Sequence, residues 1–322
     1  MQSNSFVLGM KSWPAPGKGV EYQPMKTARL LRQAVEPGKS WFWSLNPYRG
    51  CEMGCTFCSV RMDRKDFSSW SEFQKKVEIK TNAAEALAAE LRSEDFAGRP
   101  IVLGTYTEPW QPAEETVRIT RSILEVMADV DGLDLRINTR SSLIARDTDL
   151  LARISRKGKV TVSFSLASLD ERVNRLMEPR VPSAFRRLAA LEALAMAGVN
   201  VGLIVSPVFP GLDEAELGLR ALLARASNAG ARFAGMQKLS FDLGQRENFF
   251  AQVTRAFPDS AVRFRRVVGV KAAAEAELAA LDLQFARHCE ELGLLPMSRA
   301  VEALKAKASN QLQPAEQLTL FT

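Results

Sequence analysis

Six short apolar segments alternate with segments of helical periodicity, and this alternation restricts the possible folds more than any other feature. The predicted strands cover residues 40–45, 101–105, 133–139, 160–165, 199–205 and 233–239. Before the next strand begins, each is followed by a stretch in which apolar side chains recur at helical spacing. Parallel neighbouring strands need such long crossover connections. The sequence therefore predicts an α/β fold, a partial (β/α)6 barrel of the TIM type.

The segments that flank these units differ from them in composition. Residues 1–39 contain several prolines and glycines without a sustained period, so we expect an N-terminal arm over the surface. The barrel is assigned to residues 40–243, a helical C-terminal extension to 244–308 and a polar tail to 309–322. No apolar run approaches the roughly 18 residues that span a bilayer, and the first residues lack a basic-then-apolar leader. We expect no membrane contact and a cytoplasmic location.

Three local patterns give sharper expectations for individual helices. Asn82 and Glu85 have the spacing of a capping box at a helix start. One continuous helix is predicted across residues 113–128, where isoleucine, leucine and methionine recur at helical spacing. A further helix should begin after Ser183 and end at Gly198.

Three of the four cysteines lie within eight residues of one loop, directly after the first predicted strand. Cys51, Cys55 and Cys58 have the spacing C-x3-C-x2-C, and Gly50 and Gly54 can adopt the positive φ that a tight curl requires. Three protein ligands on a cluster of four irons leave one iron uncovered, which is where substrate or cofactor chemistry takes place. The sequence therefore predicts that these three cysteines bind a metal centre.

Two other uses of these cysteines remain open at this point. A structural zinc site would take its missing ligand from His288 or Cys289, although zinc sites usually consist of two spaced pairs. A disulfide is the other alternative, but three neighbouring cysteines cannot all pair with one another. Metal analysis separates the first alternative from an iron–sulfur cluster.

Small hydroxyl-bearing residues, or a charge, lie at or just after the ends of four of the apolar strands. These residues are Thr105 and Thr107 after Gly104, Thr139 and Arg140, Ser163 and Ser165, and Ser206. Hydroxyls and exposed backbone amides suit a ribose and an amino-acid head group, and a guanidinium can bind a carboxylate. The alternative is that serine and threonine end these strands only as turn formers.

Four stretches of this chain together resemble a known enzyme family. Residues 46–58, 103–112, 139–147 and 178–180 are similar to the spore photoproduct lyase-like branch of the radical SAM proteins, whose bacterial members are often called DNA repair photolyase-like. The resemblance implies a [4Fe-4S] cluster that cleaves S-adenosylmethionine to a 5′-deoxyadenosyl radical. It also implies that Cys51, Cys55 and Cys58 bind the cluster. The implied cofactor-binding residues are Phe57, Gly104, Thr105, Thr107, Thr139, Arg140, Ser163 and Ser165.

Within this resemblance, one departure concerns the residue that returns a hydrogen atom to the substrate. Spore photoproduct lyase has a cysteine for this role near the end of the second strand, where this chain has Thr105 and Tyr106. Tyr106 can donate a hydrogen atom in principle, although a tyrosine beside a site more often serves packing. Cys289 is expected to be a buried thiol rather than a donor. The catalytic hydrogen donor is left unassigned.

The end of the chain resembles a short peptide that docks on the bacterial DNA sliding clamp. This motif covers residues 317–321, from Gln317 to Phe321, and places Leu320 and Phe321 where an apolar pocket would take them. The alternative is that these apolar residues fold back on the barrel. The net charge of +6 is also compatible with a nucleic acid. We expect a nucleic-acid partner, with DNA favoured.

Together these features predict a radical SAM enzyme that acts on DNA in a lyase-type repair reaction. It would need an electron donor such as flavodoxin or ferredoxin. One alternative is modification of RNA or protein by the same radical chemistry. The other is a non-catalytic protein in which a metal stabilises a nucleic-acid binding fold.

Overall fold

A computed structural model describes residues 19–35, 41–58, 69–96, 98–208, 215–238, 243–256, 258–269 and 271–297. Its main feature is an open sheet of eight strands in the order β2-β3-β6-β7-β8-β9-β10-β11. These strands are β2 (Leu31–Ala34), β3 (Phe42–Leu45), β6 (Ile101–Leu103), β7 (Asp134–Thr139), β8 (Lys159–Leu166), β9 (Asn200–Val208), β10 (Phe233–Lys238) and β11 (Leu295–Pro296).

The six predicted strands are β3 and β6 to β10, and all neighbouring pairs among them are parallel. The prediction of a partial α/β barrel is confirmed. Two short strands extend it at its edges: β2 pairs antiparallel with β3, and β11 pairs parallel with β10. Residue 40, the first of the first predicted strand, and residue 239, the last of the sixth, lie outside the described residues.

The register of the sheet aligns one row of apolar side chains across five strands. Leu45, Leu103, Ile137, Val162 and Val201 are paired in succession, and all five are buried. Burying a side chain of this size stabilises the fold by about 1.5–3 kcal/mol. Because the strands are parallel, the polar residues that follow them meet at one edge of the sheet.

Helices connect the strands and cover the sheet. They are α1 (Trp70–Lys75), α2 (Ala83–Leu91), α3 (Glu114–Val117), α4 (Ile119–Met127), α5 (Thr148–Lys157), α6 (Glu171–Met177), α7 (Ala184–Met196), α8 (Ala215–Asn228), α9 (Leu243–Ala256), α10 (Pro258–Gly269) and α11 (Lys271–Glu291). Helix α7 begins and ends as predicted, because the Ser183 hydroxyl accepts a hydrogen bond from the Arg186 amide and Gly198 has φ +81°. The helical segment after the barrel corresponds to α9, α10 and α11. No helix in the described ranges is long and apolar enough to cross a membrane.

Part of the predicted N-terminal arm forms regular structure. Strand β1 (Glu21–Met25) pairs with β5 (Lys76–Lys80), which also pairs with β4 (Tyr48–Arg49), so that these three strands form a second, small sheet. Strand β2 belongs to the same segment and joins the barrel sheet. Sequence periodicity did not indicate these two strands, because each is only four or five residues long and is defined by its pairing with another strand.

Two local predictions for helices are corrected by the structure. The Asn82 side chain makes no capping bond; it instead bonds the backbone of Thr27 in both directions, at 2.9 Å each. The helix predicted across residues 113–128 is broken at Arg118, which has φ +53° and separates α3 from α4. The Asn82 bonds are tertiary contacts, and the Arg118 backbone conformation is strained. Helical spacing in the sequence reveals neither.

Candidate functional site

The loop that carries Cys51, Cys55 and Cys58, called the cysteine loop below, is held between α1, β5 and α6. The Cys51 amide donates to the Phe73 carbonyl at 3.0 Å, and the Thr56 amide donates to the Met177 carbonyl at 2.9 Å. Gly50 has φ +88°, and a Cβ atom there would lie 2.2 Å from the Lys76 carbonyl oxygen. The close approach of β5 therefore requires glycine at the start of the loop.

None of the three thiols of the loop forms a disulfide, and their surroundings are mostly apolar. Burial raises the pKa of Cys51 to about 12, against backbone hydrogen bonds from Glu108 and Met53 that lower it. Burial also raises the pKa of Cys55 well above its ordinary value, while the Arg140 charge lowers it. The Cys51 and Cys55 thiols therefore stay protonated at neutral pH in the metal-free protein. A bound cation would offset the cost of ionising them.

A small hydrophobic cluster, separate from the main core, surrounds the cysteine loop. It joins the loop to α6, α9 and α10 through Met53, Cys55, Phe57, Val173, Met177, Phe249, Val253 and Phe264. These residues exclude water from the thiols on one side. The C-terminal helices thus cover the cysteine loop as well as extending the barrel.

Asn46 organises the loop that follows β6. Its Oδ1 atom accepts hydrogen bonds from the amides of Tyr106 at 2.9 Å and Thr107 at 3.2 Å. Its Nδ2 atom donates to the Thr105 hydroxyl at 2.7 Å, which in turn lies 2.5 Å from the Ser44 hydroxyl. One buried amide side chain therefore fixes the conformation of three consecutive residues beside the cysteine loop.

Glu108 plays the same part at the next strand end. Its carboxylate accepts from the Thr139 hydroxyl and the Arg140 amide, both at 2.7 Å, and from the Trp110 amide at 3.1 Å. Burial raises the pKa of Glu108, and these three donors oppose the shift. Since the Glu108 amide also faces Cys51, this residue links the ends of β6 and β7 to the cysteine loop.

Arg140 lies directly against the cysteine loop. Its guanidinium carbon is 5.0 Å from the centre of the Phe57 ring. Its NH1 atom donates to Glu178 at 2.5 Å and to the Ser206 carbonyl at 2.9 Å, and NH2 donates to the Ser206 hydroxyl at 2.9 Å. The side chain predicted to bind a carboxylate is thus already held by protein acceptors.

The remaining predicted residues lie along the same edge of the sheet. Gly104 has φ +87°, and a Cβ atom there would come within 2.4 Å of the Asn138 carbonyl oxygen. Ser163 is buried on β8, opposite Asn138 of β7, and Ser165 lies two residues further along β8. The structure therefore places all eight predicted cofactor residues in the cysteine loop, on a strand or in the loop that follows one.

Several buried polar atoms near the cysteine loop have no hydrogen-bond partner within the described part of the chain. They include the Thr107 hydroxyl, the Gln74 side-chain nitrogen and Gln111 Nε2. The side-chain oxygen of Gln111 accepts from the Glu52 amide. Gln74 lies beside Gly54, where an added Cβ atom would be 3.5 Å from its nitrogen. Unpaired buried polar atoms are costly and indicate a site for a further partner.

Several residues of the resembling stretches form a buried ionic network rather than part of the site. Arg146 bonds Glu114 and Asp147, both at 2.9 Å through NH2, and the Trp110 indole donates to Asp147 at 2.8 Å. Tyr48 donates a short hydrogen bond to Glu114. These contacts join β4 and α3 to the turn that precedes α5, so the residues serve the fold.

Cys289 packs in a different hydrophobic cluster from the other three cysteines. It is fully buried in the main core, whereas Cys51, Cys55 and Cys58 belong to the small cluster. Within the described residues, no group of three or more His, Cys, Asp or Glu side chains converges on a single metal ion. The cysteines of a [4Fe-4S] cluster bind separate iron atoms and do not need to converge in this way.

Sequence reasoning assigned no role to four residues that organise the site. These residues are Asn46, Glu108, Glu178 and Arg187. Asn46 follows an apolar strand directly, and Arg187 lies on the apolar face of α7 between Ala184 and Leu191. A polar or charged residue in an apolar position was the signal that could have identified them.

Curated relatives of this chain have been described only as uncharacterized proteins. One from Mycobacterium tuberculosis is 32% identical over 227 residues, covering 70% of this chain and 66% of the relative. One from Methanocaldococcus jannaschii is 25% identical over 200 residues, covering 61% of this chain and 71% of the relative. The matched region thus spans just under two thirds of the mycobacterial protein.

Solved structures with the same fold include spore photoproduct lyase. A variant with bound AdoMet and dinucleoside spore photoproduct superimposes with a TM-score of 0.62 at 16% identity, covering 85% of this chain and 80% of that one. Another complex with the dinucleoside spore photoproduct gives the same TM-score at 15% identity, covering 85% and 81%. At this identity the likeness shows a common fold.

The family itself follows from the sequence of the barrel. The radical SAM superfamily matches residues 45–223, more than half of the chain, from the end of β3 through most of α8. That range contains the cysteine loop and every predicted cofactor residue. This chain belongs to the radical SAM superfamily, whose members use a [4Fe-4S] cluster and S-adenosylmethionine.

Proposed function

We propose that this radical SAM enzyme acts on DNA in a lyase-type repair reaction. When bound, the two cofactors supply one electron and a 5′-deoxyadenosyl radical that abstracts hydrogen from the substrate. The proposal draws most support from the common fold with spore photoproduct lyase, whose structures contain a dinucleoside lesion. The net charge of +6 also favours a nucleic-acid substrate.

The chain's own residues fit this pair of cofactors. Cys51, Cys55 and Cys58 lie on one loop and form no disulfide, and the apolar side chains around them would limit solvent access to a cluster. The Glu108 and Met53 amides face the Cys51 sulfur, and such hydrogen bonds stabilise a thiolate ligand. We assign the three cysteines as the cluster ligands.

The strand ends supply the groups that would hold S-adenosylmethionine. We assign this role to Phe57, Gly104, Thr105, Thr107, Thr139, Arg140, Ser163 and Ser165. Asn46 and Glu108 would act through them, because they fix the loop after β6 and the end of β7. The unpaired Thr107 hydroxyl is available for a ligand.

The test is the release of 5′-deoxyadenosine from the anaerobically reconstituted protein. We expect release to rise with DNA that carries thymine lesions, compared with undamaged DNA, tRNA and peptides. Release with tRNA or peptide but not with damaged DNA would refute the DNA assignment and support modification of RNA or protein. Purified protein that contains zinc without iron or acid-labile sulfide would support the non-catalytic alternative.

Two cysteine variants make a matched pair for the cluster assignment. Cys55→Ala removes a predicted ligand from the cysteine loop, and Cys289→Ala removes a thiol buried in the main core. We expect Cys55→Ala to lose most of its iron and sulfide, and Cys289→Ala to keep both. Equal iron content in the two variants would contradict the assignment.

Three further expectations accompany this function. An electron donor such as flavodoxin or ferredoxin would reduce the cluster. Residues 317–321 would bind the DNA sliding clamp; Gln317 and Phe321 lie outside the described residues. Binding of the full chain to purified clamp, compared with a Phe321→Ala variant, tests this contact. A cytoplasmic location remains a prediction.

A further inference from the structure

Three charged side chains form a continuous line from the cysteine loop into the core. Arg140 stacks over Phe57, which lies between Cys55 and Cys58 in the sequence. Glu178 binds Arg140 at 2.5 Å with one carboxylate oxygen and lies 2.9 Å from Arg187 with the other. We call these three residues the charge line.

The charge line is unusually well shielded from water. The side chains of Glu178 and Arg187 are 0% exposed, and that of Arg140 is 20% exposed. The inner end is fixed by β8, since Arg187 donates to the Ser165 carbonyl at 2.8 Å. Removing ions from water costs several kcal/mol each, so a buried ion chain is a weak source of stability. Stability alone therefore does not explain why three charged side chains are buried here.

The geometry fixes the Arg140 charge before any ligand binds. Three of its hydrogen bonds go to Glu178 and to the Ser206 carbonyl and hydroxyl, and its fourth contact is the Phe57 ring. A planar guanidinium makes several directed bonds at once, which a lysine ammonium would not reproduce. Arg140 is thus a preorganised positive charge beside the cysteine loop.

We propose that the charge line raises the reduction potential of the cluster bound by Cys51, Cys55 and Cys58. It contains two positive charges and one negative charge, with a positive one nearest the loop. A cluster with three thiolate ligands has a net negative charge that grows by one when an external donor supplies one electron. A fixed positive charge at short range in a medium of low polarity therefore favours the reduced form.

This inference requires the cluster but not the DNA substrate. It gives Arg140 a second role, as a fixed charge that acts on the cluster, in addition to the S-adenosylmethionine binding proposed above. The two roles predict different results, because a carboxylate clamp changes ligand affinity and a fixed charge changes the potential of the cluster without ligand. Failure of the DNA assignment would leave the potential unaffected.

The experiment is an anaerobic redox titration of the reconstituted protein, followed by electron paramagnetic resonance, without S-adenosylmethionine. Arg140→Met removes the nearest positive charge, so we expect a more negative potential. Glu178→Gln leaves both arginines uncompensated, so we expect a more positive one. Arg140→Lys keeps the charge and should lie closer to the wild-type value than Arg140→Met does. Opposite signs for the first two variants distinguish charge from structural damage.

A control variant comes from the other buried ionic network. Arg146→Met breaks ion pairs to Glu114 and Asp147, whose side chains are 0% exposed, and should leave the potential unchanged. If the Glu178→Gln protein does not bind the cluster, the Arg187→Met variant is measured in its place. Arg187→Met should lower the potential less than Arg140→Met does, because Arg187 is the residue of the charge line farthest from the cysteine loop.

The inference is overturned if Arg140→Met keeps its iron and the wild-type potential. It is also overturned if Arg140→Met and Glu178→Gln shift the potential in the same direction. A loss of S-adenosylmethionine affinity of more than about tenfold in Arg140→Met, about 1.4 kcal/mol, with an unchanged potential would overturn the inference and leave Arg140 with cofactor binding alone.

Discussion

Replacing Asn46 by alanine tests whether its buried side-chain amide organises the loop that follows β6. The substitution removes acceptors from the Tyr106 and Thr107 amides, at 2.9 and 3.2 Å, and the donor to Thr105 at 2.7 Å. Each hydrogen bond contributes about 1 kcal/mol, and an unsatisfied buried donor costs about 1–3 kcal/mol. We expect Asn46→Ala to lower the free energy of unfolding by about 3 kcal/mol.

The assay is urea unfolding of the metal-free protein under reducing conditions, with the midpoint and the slope fitted separately. A lower midpoint at an unchanged slope is a loss of stability. Asn200→Ala is the matched control, since Asn200 makes one 3.3 Å bond to Thr161 where β9 begins. We expect this control to lose less than about 1 kcal/mol.

A second measurement connects Asn46 to the site. If it fixes the loop after β6, Asn46→Ala should also weaken S-adenosylmethionine binding to the reconstituted protein, whereas Asn200→Ala should not. Equal stability and equal affinity in the two variants would refute the reasoning that Asn46 holds this loop in its binding conformation.

Three further predictions concern backbone conformation and the buried thiols. Gly104→Ala should lower the free energy of unfolding by at least about 2 kcal/mol, because φ of +87° is unfavourable for alanine and the new Cβ atom would lie 2.4 Å from the Asn138 carbonyl oxygen; an unchanged urea midpoint would contradict this close approach. Arg118→Gly should raise stability by about 0.5–1 kcal/mol in the same assay, since Arg118 has φ of +53°. The metal-free protein should lose stability as pH rises above about 8.5, because burial raises the pKa of Cys51 and of Cys289 to about 12 each and the unfolded thiols ionise first. Each buried thiol contributes up to about 1.4 kcal/mol per pH unit to this loss. Cys289→Ala should therefore reduce the decrease in the free energy of unfolding between pH 8 and 10. A decrease identical to that of the wild-type protein would refute this attribution.

The barrel could be predicted because its signals are local. Six apolar strands separated by helical segments require parallel pairing, and the structure has β3 and β6 to β10 in that arrangement. Strands β1 and β2 could not be predicted from such signals. Each has only four or five residues, and their side chains have mixed exposure. Their partners β5 and β3 determine that they are strands at all.

The same division applies to the residues of the site. The sequence indicated the three cysteines and the strand ends, because ligand spacing and strand termination are visible within a few residues. It did not indicate that Asn46 would bind Thr107, 61 residues away, or that Arg140 would bind Glu178, 38 residues away. It also did not indicate that Asn82 would bind Thr27 instead of capping α2.

By itself, the sequence determined the radical SAM fold and the loop that presents three thiols. Only the tertiary structure decided which buried side chains hold that loop and its neighbouring strand ends, and where the charge line lies. The physical reason is the separation along the chain over which each kind of interaction acts. Helical periodicity and ligand spacing act between residues that are close in the chain, whereas hydrogen bonds and ion pairs across the sheet depend on the register of parallel strands.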